Sequence, residues 1–371
     1  MNDIGTPAWR PTASCTWRAF RSSGKKHLLL TGGRGSGKTT LLRALQPLLS
    51  AGPWPGVTTW ARPGAGVWLR QEPEGAVVQA GRFDPALPGP ENRMRPTGGF
   101  DALGVEALEQ AARAPGQWAA IDEIGYLECG SSAYCQAILR LMGSKRLLAA
   151  VRKQDLPFLR QLCARPDVFC LDLDRPLGRA GCVVMASGLG RRFGGNKLLA
   201  PLGGRPLLSY VLASTEGLFA RRVVVTRNPD TAALCRQQGI QTVLHSLPGR
   251  SDTIRLGLEA ATAEGTLDGC LFCPGDQPLL RRETAAALAL CGAAVPDKIW
   301  RAAWQGTPGA PVWFPAWSFG ELAALSQDQG GGWVLRRHPE QVGLVEASSG
   351  AELADVDTRE DLQRMRFGHM K

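Results

Sequence analysis

The amino-acid sequence predicts an α/β protein of two domains, each built on a mainly parallel sheet that helices cover. An apolar run, a glycine-rich loop with a lysine and a helical segment follow one another twice, at residues 27–45 and again from residue 183. Between the two, residues 174–180 are polar and carry proline and glycine, and the alternation of strand and helix patterns restarts after them. A chain of 371 residues is long enough for two domains with separate cores.

Composition and charge narrow the class of protein. Apolar residues at 44% and charged residues at 20% are typical of a globular protein, and no stretch is apolar over the length that crosses a bilayer. Residues 1–23 lack the layout of a signal peptide and the 10 cysteines suit a reducing compartment, so we expect a cytoplasmic protein with no membrane partner. The net charge is +10, but no basic run or aromatic-basic module indicates binding of nucleic acid.

The first domain is predicted at residues 26–173, after an irregular N-terminus at residues 1–25. The run GGRGSGKTT at residues 32–40 is a complete P-loop, because an apolar strand precedes it and a helical pattern follows it. The backbone N–H groups would wrap the β-phosphate of a nucleoside triphosphate, and Lys38 would reach the β- and γ-phosphates. The predicted nucleotide-binding residues of this loop are Gly32, Gly33, Gly35, Gly37, Lys38, Thr39 and Thr40.

Two acids, Asp122 and Glu123, directly follow a second apolar strand of the first domain at residues 118–121. Hydrolysis in a P-loop protein requires a carboxylate at the end of a neighbouring strand. We expect Thr39 and Asp122 to hold Mg²⁺, the latter through water, and Glu123 to polarise the attacking water. Lys38 and Glu123 are therefore the predicted catalytic residues of this domain.

The sequence around these acids indicates a family. Residues 122–128 read Asp-Glu-Ile-Gly-Tyr-Leu-Glu, which resembles the Asp-Glu-Ile-Gly-x-Met-Glu signature of the cancer-related nucleoside-triphosphatases. A predicted helix at 131–142 and a strand at 146–151 continue the resemblance, which covers about residues 26–173. It implies a P-loop NTPase fold that hydrolyses ATP or another NTP. The Pro- and Gly-rich residues 51–100 depart from the family, which leaves the preferred NTP open.

The second domain is predicted at residues 181–371, beyond a linker at 174–180. An apolar strand at 182–185 runs into ASGLGRRFGGNK at residues 186–197. Glycines let backbone N–H groups approach a ligand, and with nearby cations they make an anion cradle at the carboxyl edge of a parallel sheet. The predicted nucleotide-binding residues of this domain are Ala186, Ser187, Gly188, Arg192, Gly194, Lys197 and, at the start of a later helix, Ser251.

Two carboxylates are candidates for a second magnesium site. Asp276 follows a predicted strand at 270–273, and a carboxylate at that place beside a phosphate loop is where Mg²⁺ bridges a triphosphate. Acids at residues 355–361 partly serve to cap the last helix, and Asp357 is the better candidate among them for a second metal contact. Lys197 and Asp276 are the predicted catalytic residues of this domain.

Three segments of the second domain resemble the nucleotidyltransferases of the molybdenum cofactor group. Their loop pattern, apolar-Ala-Ala-Gly-x-Ser-x-Arg-Met-Gly-x-x-Lys, is matched with departures at Ser187, Gly190 and Phe193, and residues 275–278 and 355–358 match later motifs. Across residues 181–366 the chain is similar to molybdenum cofactor cytidylyltransferases. The resemblance implies a Rossmann-like nucleotidyltransferase fold, Mg²⁺, transfer of CMP from CTP to molybdopterin with release of pyrophosphate, and an apo molybdenum hydroxylase as a partner.

Two alternatives to cytidylyl transfer stay open at this point. The fold also serves guanylyl transfer and transfer to sugar or alcohol phosphates, and a non-catalytic chaperone could hold the finished cofactor instead. Guanylyl-transferring relatives carry two glycines where this chain has Ser187 and Gly188. A serine side chain beside the base would crowd a purine, which predicts a preference for CTP over GTP of about ten- to a hundredfold.

Overall fold

The computed structural model of the protein describes residues 9–87, 93–327 and 329–368. Residues 1–8, the first part of the expected irregular N-terminus, lie outside the described residues. The chain forms two compact units, and the first of them along the chain spans Thr12–Asp174. Within the described ranges, no helix combines the length and the apolar character needed to cross a membrane.

The first unit holds an eight-stranded sheet in the order β5-β4-β3-β2-β6-β7-β1-β8 within the described residues. Its strands are β1 (His27–Gly32), β2 (Gly56–Arg62), β3 (Gly66–Glu72), β4 (Val77–Phe83), β5 (Met94–Pro96), β6 (Trp118–Ile124), β7 (Arg146–Arg152) and β8 (Val168–Asp172). Its helices are α1 (Ala13–Ser23), α2 (Lys38–Leu49), α3 (Val105–Arg113), α4 (Tyr126–Cys129), α5 (Ser132–Ser144) and α6 (Pro157–Cys163).

Parallel pairing joins β2, β6, β7, β1 and β8, so the carboxyl ends of these strands meet at one edge of the sheet. The apolar residues of β1, β6 and β7 are buried because helices cover both faces, as in parallel sheets generally. Strands β3, β4 and β5 extend the sheet as an antiparallel meander. The Pro- and Gly-rich segment at residues 51–100 therefore forms strands of the sheet. The P-loop and the acidic pair lie instead at the carboxyl ends of the parallel strands.

The expectation of an irregular N-terminus is wrong for residues 13–23, which form helix α1. Thr12 caps this helix, since its hydroxyl accepts a first-turn backbone N–H at 3.2 Å, and Gly24 ends it with a φ of 69°. Phe20 is fully buried, with its ring centroid 5.9 Å from that of Trp118. Both end signals can be read from the sequence. The buried face of the helix, however, consists mostly of small or polar residues beside Phe20, so its apolar periodicity is weak.

The second unit holds a seven-stranded sheet in the order β13-β12-β9-β14-β16-β15-β17 and a small two-stranded ribbon, within the residues described. Its strands are β9 (Ala180–Ala186), β10 (Pro201–Leu202), β11 (Arg205–Pro206), β12 (Arg221–Thr226), β13 (Gln241–Leu244), β14 (Gly269–Pro274), β15 (Ile299–Trp304), β16 (Thr307–Pro315) and β17 (Val342–Glu346). Its helices are α7 (Leu207–Thr215), α8 (Pro229–Gln237), α9 (Arg250–Thr262), α10 (Arg282–Ala294), α11 (Phe319–Ala323), α12 (Gly331–Arg337) and α13 (Arg359–Gly368).

Strands β13, β12, β9 and β14 are parallel neighbours, and β16 interrupts the parallel run by pairing antiparallel with β14 and β15. Helix α9 packs so closely on β9 that a Cβ on Gly257 would lie 2.5 Å from a methyl carbon of Val183. The prediction of two α/β domains with mainly parallel sheets is confirmed. In this unit the carboxyl ends of β9, β12 and β14 frame one edge, where the candidate residues gather.

A buried histidine in β1 makes the stability of the first unit depend on pH. The His27 side chain is fully buried, and its Nδ1 accepts the backbone N–H of Leu147 at 3.1 Å. Burial lowers the pKa of His27 from 6.5 to about 4, against the opposing effect of Asp167. Because the unfolded imidazole binds a proton below about pH 6.5 and the folded one does not until about pH 4, acid favours the unfolded chain between these values.

We therefore expect the free energy of unfolding to fall by about 2 kcal/mol more in the wild type than in His27→Asn when the pH drops from about 7 to about 4.5. Asparagine can accept the same backbone N–H but does not titrate in this range. Urea denaturation of both proteins at the two pH values measures the difference. Equal losses in the two proteins would contradict a role for His27.

Candidate active sites

The P-loop of the first unit joins β1 to α2. Gly35 and Gly37 have φ of 76° and 94°, in the left-handed region that favours glycine. The Nζ of Lys38 donates to the carbonyls of Gly32 at 2.9 Å and Gly33 at 3.0 Å, and its side chain is buried. The loop thus closes around the lysine, with its backbone shaped to bind an anion at the start of a helix.

Thr39 and Asp122 are in contact, as the magnesium prediction requires. The Thr39 hydroxyl donates to a carboxylate oxygen of Asp122 at 2.8 Å. Burial raises the pKa of Asp122, while the Thr39 hydrogen bond opposes the rise. A hydroxyl and a carboxylate are hard oxygen donors that fit Mg²⁺, whose other ligands are usually phosphate and water. Thr40, the next predicted loop residue, is exposed in the first turn of α2.

Glu123 lies between two cations. One carboxylate oxygen is 3.3 Å from Lys38 Nζ, and the other accepts from Arg152 Nε at 3.0 Å. The structure therefore brings together Lys38, Thr39, Asp122 and Glu123 at one edge. The sequence analysis gave Arg152 no role, although this residue directly follows the strand predicted at residues 146–151 and ends the observed strand β7.

The last residue of this unit also contacts the loop. The Asp174 carboxylate accepts the backbone N–H of Gly33 at 2.9 Å, and Lys153 Nζ is 3.2 Å from it. These contacts lower the pKa of Asp174, against the effect of burial. A residue predicted as linker is thus part of the framework that holds the P-loop.

In the second unit, the side chain of Lys197 contacts two other predicted residues. Its side chain is 9% exposed, and its Nζ donates to Asp276 at 2.6 Å and to Asp357 at 3.0 Å. Arg192 Nη2 lies 2.8 Å from the other oxygen of Asp357. Burial alone would lower the pKa of Lys197, but the two carboxylates raise it above the ordinary value, so the ammonium stays charged.

The sheet explains how these residues meet. Asp276 comes just after β14, whose parallel neighbour β9 runs into the glycine-rich loop, so both segments reach the same edge. A further carboxylate, Asp355, accepts from the buried Gln277 Nε2 at 3.0 Å. Burial and the charge of Asp276 raise the pKa of Asp355. Sequence reasoning gave Asp355 and Gln277 no separate role, although both lie inside the motifs it used.

The carboxylates of Asp276 and Asp357 are suited to bind Mg²⁺, because oxygen ligands are the ones that this ion prefers and a positive group already bridges them. Among the described residues, no three or more His, Cys, Asp and Glu side chains form a metal cage.

Ser187 departs from its expected role. Its hydroxyl donates to the carbonyl of Val225 at 3.1 Å and contacts His245 Nε2 at 2.9 Å, and the residue is 7% exposed. Arg227 donates to the Ser187 carbonyl at 2.6 Å. The expectation that this side chain fills space beside a base is wrong, because it turns into the sheet. No heavy atom lies within 4 Å of a Cβ built on Gly188, so that residue borders open space.

Two glycines of the loop, Gly190 and the predicted Gly194, hold its shape. Gly190 has a φ of 59°, and a Cβ there would lie 2.1 Å from the carbonyl oxygen of Gly195. Gly194 has a φ of 76° and donates its N–H to Gly190 at 3.0 Å. Ala186 ends β9 as a buried residue, and Ser251 is buried in the first turn of α9. Glycines thus make a tight turn immediately before Lys197.

Both halves of the chain match known families. Residues 182–342 match the model of the MobA-like NTP transferase domain, and residues 93–176 match that of an NTPase family, beginning after the P-loop. The chain is 27% identical over 200 residues to the purine catabolism protein PucB of Bacillus subtilis, which is 50% of this chain and 94% of that protein.

Two further proteins are similar to part of this chain. The chain is 30% identical over 111 residues, 29% of its length, to a probable molybdenum cofactor guanylyltransferase of Methanothermobacter thermautotrophicus, and it covers 55% of that protein. A solved nucleotidyl transferase from the same genus is 20% identical with a TM-score of 0.44, and the match covers 52% of this chain and 98% of that one.

Proposed function

Because the chain carries an NTPase domain followed by a MobA-like NTP transferase domain, we propose that its second unit transfers a nucleotidyl group and its first unit hydrolyses NTP. The observation that carries the transfer proposal is the buried Lys197 ammonium, held by Asp276 and Asp357 directly after the glycine-rich loop. A charged donor fixed beside backbone amides is what a reacting triphosphate requires.

The transfer needs no protein nucleophile. A phosphate oxygen of the acceptor forms a bond to the α-phosphorus, the bond from this phosphorus to the α–β bridging oxygen breaks, and pyrophosphate leaves. Lys197 and the loop N–H groups would neutralise charge on the reacting phosphates, and Arg192 would do so from the exposed side. Asp276 and Asp357 would hold Mg²⁺, which when bound supplies further charge neutralisation on the triphosphate.

The specific reaction that we propose is transfer of CMP from CTP to molybdopterin, for insertion into an apo molybdenum hydroxylase. Its support is the Ala186-Ser187-Gly188 sequence of the loop, which is similar to the cytidylyl group, and the kinship with a molybdenum cofactor enzyme. Guanylyl transfer is the second candidate. The relative named as a guanylyltransferase favours it, and so does the inward Ser187 side chain, which leaves the space beside Gly188 open to a larger base.

The test is pyrophosphate release by the full chain with Mg²⁺, molybdopterin and each of CTP, GTP, ATP and UTP. The cytidylyl proposal requires a higher kcat/KM with CTP than with GTP, although the inward Ser187 side chain removes the steric reason for a large preference. An equal or better rate with GTP would replace the cytidylyl proposal by guanylyl transfer. Binding of the finished dinucleotide cofactor without any pyrophosphate release would instead make the second unit a chaperone.

For the first unit we propose hydrolysis of ATP or another NTP. Lys38 and the loop amides would bind the β- and γ-phosphates, and Thr39 with Asp122 would hold Mg²⁺. Glu123, which contacts Lys38 at 3.3 Å, would polarise the water that attacks the γ-phosphorus. Release of inorganic phosphate from a panel of NTPs tests this activity separately from transfer, since transfer releases pyrophosphate.

A further inference from the structure

Arg152 ends β7, the strand that lies between the strand of the acidic pair and the strand of the P-loop. The sheet order places β7 between β6, which carries Asp122 and Glu123, and β1, which leads into the P-loop. All three strands are parallel, so their carboxyl ends lie side by side. A side chain at the end of β7 is therefore placed between the acidic pair and the phosphate loop.

The contacts of Arg152 match this placement. Its Nε donates to one oxygen of Glu123 at 3.0 Å, and the other oxygen of Glu123 is 3.3 Å from Lys38 Nζ. Only one carboxylate thus separates the guanidinium from the lysine that reaches the β- and γ-phosphates. An arginine at this distance from the phosphate loop carries its charge close to the bond that hydrolysis breaks.

The path of the side chain is shaped by its neighbours. A Cβ on Gly125 would lie 2.7 Å from Arg152 Cδ, so the absence of a side chain at Gly125 makes room for the arginine. The Tyr126 ring centroid lies 5.9 Å from the guanidinium carbon. Glu123 and Tyr126 thus direct the Arg152 side chain along the site edge, and a charge placed in advance stabilises a transition state at little reorganisation cost.

Arg152 also keeps donors available. An arginine has five N–H groups, and the hydrogen bond that the structure records for Arg152 among the described residues uses Nε. The same residue lines a pocket of about 310 Å³ that also touches Thr31, the residue before the P-loop. The two terminal nitrogens are therefore available to bind an oxyanion held by the P-loop.

We propose that Arg152 is a catalytic residue of the first unit, an arginine supplied in cis that binds the γ-phosphoryl group during hydrolysis; this rests on the proposed NTPase activity. Water oxygen forms a bond to the γ-phosphorus, and the bond to the β–γ bridging oxygen breaks. A proton of the water passes to Glu123 and then to solvent, leaving a nucleoside diphosphate and phosphate. Arg152 neutralises charge on the transferred group and keeps Glu123 directed at the water.

The variants Arg152→Ala and Arg152→Lys test the proposal in the full chain with ATP and GTP. We expect kcat for phosphate release to fall by about a hundredfold or more in Arg152→Ala, with KM changed by less than about threefold. Lysine should restore little, because it lacks the planar fork. Added guanidinium should partly rescue Arg152→Ala. Arg160→Ala is the matched control, since Arg160 lines the same pocket but pairs with the exposed Asp155, and it should keep the wild-type rate.

A binding measurement separates catalysis from folding. Nucleoside diphosphate alone should bind Arg152→Ala as it binds the wild type, whereas tight binding of the diphosphate with aluminium fluoride, which mimics the transferred group, should be lost. An unchanged kcat, or equal loss of diphosphate and fluoride-complex binding, would overturn the role of Arg152. A wild-type chain that binds ATP and GTP but hydrolyses neither would instead refute the NTPase function itself.

Discussion

Replacement of Asp276 by asparagine is expected to lower nucleotidyl transfer by about 10²–10³-fold while the protein stays folded. Asp276 is one of two carboxylates on Lys197 Nζ, at 2.6 Å, and it stands at the carboxyl end of β14 beside the glycine-rich loop. A neutral amide would bind Mg²⁺ weakly and would leave the lysine with Asp357 alone. The same substitution also removes the repulsion of Asp276 from the nearby carboxylates of Asp355 and Asp357, so we expect little loss of stability.

Pyrophosphate release with CTP or GTP measures the effect of Asp276→Asn. The matched control is Asp268→Asn, because Asp268 precedes the opposite end of β14 and pairs with Arg179 at 2.7 Å on the surface. It should leave the transfer rate within about twofold of the wild type. Transfer at a near wild-type rate in Asp276→Asn would mean that the metal is held elsewhere, and Asp357→Asn would then be the variant to measure.

Replacement of Lys38 by alanine should abolish NTP hydrolysis and leave nucleotidyl transfer largely intact. Lys38 is buried, bonds two loop carbonyls and contacts Glu123, so its loss removes the phosphate-binding charge and a partner of the catalytic carboxylate. We expect a fall of about 10²–10³-fold or more in phosphate release. Transfer should persist because the second unit has its own phosphate loop and its own carboxylates.

Both activities are measured on the same protein, as release of inorganic phosphate and of pyrophosphate. Lys25→Ala serves as the control, since Lys25 is in the same unit and its Nζ donates to the exposed carbonyl of Pro166 at 2.7 Å. That variant should keep both activities. A folded Lys38→Ala protein that has lost both would show that the two sites are coupled.

The sequence could predict which candidate residues meet where strand ends could be recognised. Lys197 and Asp276 lie far apart in the chain, but each comes after a parallel strand, and parallel strands bring such positions to one edge; Asp357, which contacts Lys197 there, lies in a later motif. The sequence did not predict Arg152, because its place depends on β7 lying between β6 and β1. Strand order is set by long-range packing and leaves no local pattern.

The sequence also could not predict the direction of the Ser187 side chain. A serine in a glycine-rich loop can face a ligand or the protein, and the partners that decide here are the Val225 carbonyl and His245, which belong to other elements. Helix α1 was missed for another reason. Its end signals are present, but a short polar helix is favoured mainly by the tertiary contacts of Phe20.

The tight turn at Gly190 constrains how this loop can evolve. Related sequences carry serine at this position, but here a Cβ would meet the carbonyl oxygen of Gly195 at 2.1 Å, and the φ of 59° disfavours any residue other than glycine. Serine at position 190 would therefore require the loop to open and the Gly195 carbonyl to move. The shape of this loop, and with it the place of Lys197 seven residues later, thus depends on glycine at position 190.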